Sequence, residues 1–228
     1  LPELLTVVLP FTYFLCYQYG VISRPYALVI AAMLLVGLAW EHKDEHPWRL
    51  VLSMILLCLA SSYGLAICAG LAIIWVLDVL LSAKHGGIRA MMRNLVSSPA
   101  RFVAWLTLLA AAVALLFDVL PARNVYHGIF DVNAPIVPWV QRWGYVWLFF
   151  PSDTLFTSFT DDINILFMRP AWTDLVYAAV VSLLMWAVLG WIARRRGLLA
   201  ELFVPYTVLS LVFCSHAYAH HIGVVLGY

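Results

Sequence analysis

The 228 residues are 64% hydrophobic and only 11% charged, with a mean hydropathy of +0.94 and a formal net charge of +1. A soluble domain is nearer half apolar and a quarter charged, so the composition excludes an ordinary soluble fold, and the near-zero charge gives no footprint for nucleic acid. The apolar runs are continuous rather than alternating, which points to membrane helices and away from a membrane β-barrel.

The expected class is therefore all-α: a polytopic transmembrane bundle of about 6–7 helices, several of them short or broken. Leu4–Tyr19 is a borderline span interrupted by Pro10, and Pro25–Trp40 is a clearer one that stops at the charged knot Glu41–His46. Between them Tyr17–Tyr26 reads as a connector at the membrane surface, because Gly20 and Pro25 suit a helix end and a helix start. Leu50–Leu81 is too long for one straight crossing, and Ser61-Ser62-Tyr63-Gly64 near its middle is expected to fold it into a tight pair of short helices. Phe102–Leu120, Thr173–Ala193 and Leu199–Ser215 complete the spans, the last two separated by a turn at Gly197. Residues 121–172 are expected to be one long outer-face loop whose Trp139, Trp143, Trp147, Phe149 and Phe150 lie on or dip into the interface. The whole of 1–228 reads as a single membrane region, and its opening at Leu-Pro-Glu and its close in an apolar run read as a fragment of a longer chain.

Lys and Arg favour the cytoplasmic side, which orients the spans. If Leu50–Leu81 is a hairpin, Lys43, Arg49, Lys84, Arg89, Arg93, Arg101 and Arg194–Arg196 fall inside, leaving Arg24, Arg123, Arg142 and Arg169 outside. One bent crossing would instead move 41–49 outside; the hairpin is preferred. The expected place is a multi-pass bacterial plasma (inner) membrane protein with membrane lipid as its surroundings. Cys16, Cys58, Cys68 and Cys214 all sit in apolar runs, without disulfide or zinc spacing.

Arg24 is the only Arg of the first forty residues, and a cation so close to hydrocarbon normally faces a partner or a water-filled cavity. An interfacial aromatic belt with a snorkelling Arg explains the same residues without a function. Tyr19, Tyr26 and Tyr63 fall on the same outer face as Arg24 and the histidines after Ser215. His216, His220 and His221 form the densest titratable cluster, and on a helix His216 and His220 share a face, as two metal ligands would. That spacing is similar to one histidine box of the membrane di-iron desaturases, but His42, His46, His85 and His127 are scattered, and no metal is assigned. His and Arg together suit an anionic lipid head group. Asp161-Asp162, with Asp153 nearby, can hold a divalent cation or act as a base, and equally reads as a helix N-cap. No Walker loop, nucleophile elbow, Rossmann glycines or zinc-protease helix is present.

Tyr17-Gln-Tyr-Gly-Val-Ile-Ser-Arg-Pro-Tyr26 followed by an apolar helix, with Ala219-His220-His221-Ile222-Gly223 further on, resembles segments of bacterial polytopic proteins related to the GT-C superfamily of glycosyltransferases. Gln18, Pro25 and Ala219 depart from the pattern, which has Glu, Asn and Arg there. The resemblance implies transfer of a sugar from a polyprenyl-phosphate donor at the non-cytoplasmic face, with Arg24 and His220 or His221 at the departing phosphate. It implies that the catalytic base lies outside these residues; within them the acidic pair Asp161 and Asp162 is the candidate that the residues themselves offer. A transporter or flippase subunit without transferase activity is the alternative; it predicts broken helices in two related halves, and the sequence has no such repeat.

Overall fold

The computed structural model describes residues 26–82, 92–94, 96–119, 139–157 and 172–215. The described residues are helical, with no strand among them: α1 is Tyr26–Trp40, α2 Pro47–Ala60, α3 Ser62–Leu81, α4 Pro99–Val119, α5 Trp139–Leu148, α6 Phe150–Thr157, α7 Trp172–Arg196 and α8 Leu199–Ser215. Among the described residues three stretches are long and apolar enough to cross a membrane: Ser62–Leu81, Pro99–Phe117 and Leu175–Arg196. Helices α1, α2 and α8 are shorter apolar elements. The chain divides into two compact units, one built from α1 to α4 with Ala200–Leu209 of α8, the other from α5 to α7 with the end of α8 from Ser210.

In the first unit the expected hairpin is present. Ser61 breaks the apolar run with extended backbone (φ −169°, ψ 149°), and its hydroxyl accepts from the Tyr63 N–H at 3.2 Å. A serine N-cap thus ends α2 and starts α3 within one residue. The two helices then run side by side and antiparallel. Gly64 lies against the backbone carbonyl of Leu57, Cys68 Sγ donates to Met54 O at 3.3 Å, and Trp75 and Asp78 reach back to Asp44 and Lys43 before α2 begins. A Cβ on Gly64 would stand 2.1 Å from Leu57 O, so only glycine allows this approach. Gly70 is equally tight against Pro205 of α8.

The buried stripes follow helical spacing: Val29, Ala32, Val36 and Trp40 on α1; Leu50, Val51, Met54, Leu57 and Cys58 on α2. Of the candidate spans, α3 has 44% of its window buried, whereas those of α4 and α7 are 11% buried. So α3 is the most enclosed of the three, and α4 and α7 turn most of their apolar surface outward. Exposed Phe117, Val140, Leu183 and Leu184 would be a liability in water and are ordinary against lipid.

In the second unit α5 and α6 lie against α7. The i→i−4 backbone pattern carries through the junction, with Phe149 N–H on Tyr145 O and Asp153 N–H on Phe149 O. Pro151 interrupts it, having no N–H to give Trp147 O. The indole N–H of Trp186 supplies that bond at 2.9 Å, and the displaced Ser152 N–H finds Ser182 Oγ at 3.0 Å. Both freed groups of a proline kink are therefore satisfied by the neighbouring helix, as hydrocarbon surroundings demand. The segment read from sequence as an outer-face loop thus holds two packed helices.

Candidate functional site

Most of the sequence-derived site lies outside the described residues: Tyr19, Arg24, Asp161, Asp162, His216, His220 and His221, together with the side chain of Tyr26. Tyr63 is described. It is 3% exposed in the first turn of α3, at the hairpin's turn end and away from the charged 41–45 segment. Its burial makes it part of the helix packing.

Asp153, in sequence only a neighbour of Asp161 and Asp162, is among the described residues the most buried carboxylate, at 1% exposure. It stands in the first turn of α6, where the positive end of the helix dipole favours a negative charge. Ser152, Thr154, Ser182 and Ser210 are also fully buried in this unit. Thr154 Oγ1 donates to Phe150 O at 2.7 Å and Ser152 Oγ to Phe149 O at 2.9 Å. Aromatic rings surround them: Trp143 pairs edge-on with Trp147 at 6.0 Å, Trp147 lies 5.2 Å from Trp186, and Phe150 meets Phe213 at 5.1 Å. Trp143 Nε1 donates to Ser210 Oγ at 2.7 Å. Ser182 sits seven residues into the Leu175–Arg196 span, about 10 Å along a helix rising 1.5 Å per residue, and Trp186 is near its middle. An ionisable group held beside a span at that depth is costly and marks function by default. The sequence signal that could have found it is Pro151-Ser152-Asp153-Thr154, a polar run opened by a helix breaker.

The first unit holds two further features. At the end where α1 and α3 finish and α2 and α4 begin, Asp44 Oδ1 accepts from Trp75 Nε1 and from Arg101 Nη1, both at 3.2 Å. Arg101 Nη2 donates to Asn94 O at 3.0 Å, Asn94 Nδ2 to Val79 O at 2.6 Å, and Lys43 pairs with Asp78 at 3.0 Å. Lys43 and Arg101 also stack over Trp40 and Trp105. These charges are spent on each other and on helix ends, so the cluster is a clamp. It gathers 41–45 and 94–101 at one end, as the hairpin topology requires and a single bent crossing does not.

The second feature is an apolar groove of about 470 Å³ between α2, α3 and α4. Cys58, Cys68, Ala69 and Ala72 form one wall, Trp105 and Leu109 the facing one. Small side chains one turn apart on α3 leave the space open. Among the described residues no group of three or more His, Cys, Asp or Glu is placed to hold a metal.

No family model, no curated protein and no solved structure matches the chain.

Proposed function

We propose that the chain belongs to a multi-pass membrane glycosyltransferase of GT-C type, with about 6–7 spans in a bacterial plasma membrane, that moves a sugar from a polyprenyl-phosphate carrier to an acceptor at the non-cytoplasmic face. The observation that supports it is Asp153: a carboxylate buried to 1% exposure beside the Leu175–Arg196 span, among buried hydroxyls and indoles. In this reading Asp153 takes the proton of the acceptor hydroxyl as that oxygen attacks the sugar's anomeric carbon. The bond from that carbon to the carrier phosphate breaks as the new glycosidic bond forms. The phosphate departs as an anion held by Arg24 with His220 or His221, whose charge-assisted hydrogen bonds grow stronger as charge develops. Trp143 and Trp147 offer flat faces for a sugar ring.

The test is consumption of lipid-linked sugar by the full-length protein in membranes. Asp153→Asn keeps shape and removes the base, so turnover should fall roughly 10²–10⁴-fold, the usual contribution of general acid–base catalysis. Arg24→Ala should abolish it. Undiminished turnover in Asp153→Asn removes that residue from the chemistry.

The kink at Pro151 favours a second reading, a transporter or flippase subunit, because broken helices with a buried acid are also how such proteins build a path. There Asp153→Asn would stop proton-coupled passage in proteoliposomes, and the unaltered protein would consume no lipid-linked sugar.

A further inference from the structure

Cys58 and Cys68 face one another across the α2–α3 hairpin, ten positions apart in sequence, brought together by the close approach at Gly64. Cys68 Sγ donates to Met54 O at 3.3 Å, one turn from Cys58, and both cysteines line the same apolar groove. Both are nearly buried, at 5% and 2% exposure, and what they touch is the apolar groove against Trp105, Leu108 and Leu109. The groove volume, about 470 Å³, lies in the range of ligand-sized pockets, about 300–1,000 Å³.

We propose that Cys58 and Cys68 form a modification site: a dithiol that a lipid-soluble quinone, entering the groove from the bilayer, oxidises to a disulfide. Two S–H bonds break and one S–S bond forms. The two electrons and two protons pass to the quinone, which leaves as the hydroquinone. The surroundings select this chemistry. Charged species are costly in walls made of alkyl and indole groups, which disfavours water-borne oxidants and a metal bound by two thiolates. A disulfide is neutral and apolar, and a quinone is a two-electron, two-proton acceptor that dissolves in hydrocarbon. The product would tie α2 to α3 and fix one wall of the groove.

The experiment uses the full-length protein in lipid nanodiscs with every cysteine except Cys58 and Cys68 replaced by alanine, Cys16→Ala and Cys214→Ala among them, so that only this pair can react. A short-chain benzoquinone should remove the mass of two hydrogens, generate one hydroquinone per protein, and yield a peptide joining Cys58 to Cys68 that a reductant releases. Ferricyanide, charged and confined to water, should act at least roughly tenfold more slowly if access is through the apolar groove. Ala72→Phe, which fills the groove without touching either thiol chemically, should slow the quinone reaction and leave the thermal midpoint nearly unchanged. A dithiol that stays reduced under quinone, as it would if acyl chains alone occupy the groove, overturns the proposal. So do equal rates with both oxidants, or an Ala72→Phe rate equal to the parent's.

Discussion

Trp186 and Ser182 each meet a backbone group that Pro151 has set free, and the bonds they make are the most testable single contacts in the second unit. Trp186→Phe keeps a ring against Trp147 and deletes only the donor to Trp147 O. Ser182→Ala strips the acceptor from Ser152 N–H at a fully buried site. Leaving one partner of a buried hydrogen bond unsatisfied costs about 1–3 kcal/mol, so each substitution should lower the unfolding free energy in detergent by that order. Pro151→Ala returns an N–H that can reach Trp147 O along the helix, so Trp186→Phe should cost much less in that background. A double-mutant cycle measures the difference, and additive effects would show that Trp186 does not stand in for the missing donor.

At the scale of elements, two glycines in the first unit predict opposite outcomes. Gly64→Ala drives a methyl into Leu57 O and must part α2 from α3, an overpacking cost of about 1–3 kcal/mol. Gly37→Ala, with nothing within 4 Å of the new carbon, should be neutral or stabilising by up to about 1 kcal/mol, since alanine is the better helix former. Thermal unfolding of the two variants side by side separates packing from propensity; equal destabilisation would remove the close-approach argument. The same pair shows what the sequence made legible. The Ser61 break could be read because a serine cap and a glycine sit together in an apolar run, and a local signal suffices to end one helix and begin the next. The bounds of α1, α4, α7 and α8 likewise fall within a few residues of the expected spans, because hydropathy and charged flanks set them. The kink at Pro151 was not legible as a packed element. Its stability depends on a donor 39 residues away and an acceptor 30 residues away, both on α7, and nothing local announces that partnership. For the same reason Asp153 read as a loop acid: its burial comes from packing against other helices, which periodicity does not carry.

For the molecule as a whole, the first unit fixes which connecting segments share an end. Asp44 ties the segment after α1 to both α3 and the start of α4, so 41–45 and 94–101 belong together while Ser61 lies at the other end of the hairpin. The charge pattern alone left this open, because it turned on whether Leu50–Leu81 crosses once or twice, and hydropathy cannot tell a hairpin from a bent rod. The clamp decides it by contact, with Lys43 and Arg101 only 17% and 12% exposed and each paired to an acid. Surface ion pairs add little, about 0–1 kcal/mol each, so Asp44→Asn should lower stability only modestly; the clamp's value lies in register. The topology can be checked in oriented membrane vesicles with the native cysteines replaced by alanine. Glu45→Cys and Val96→Cys should react with an impermeant maleimide from the same side, and the basic residues of both segments predict that this side is the cytoplasmic one. Ser62→Cys should be labelled only from the opposite side. Labelling of Glu45→Cys and Val96→Cys from opposite faces would mean that α2 and α3 do not fold back on each other, and the groove between them and α4 would lose its architecture.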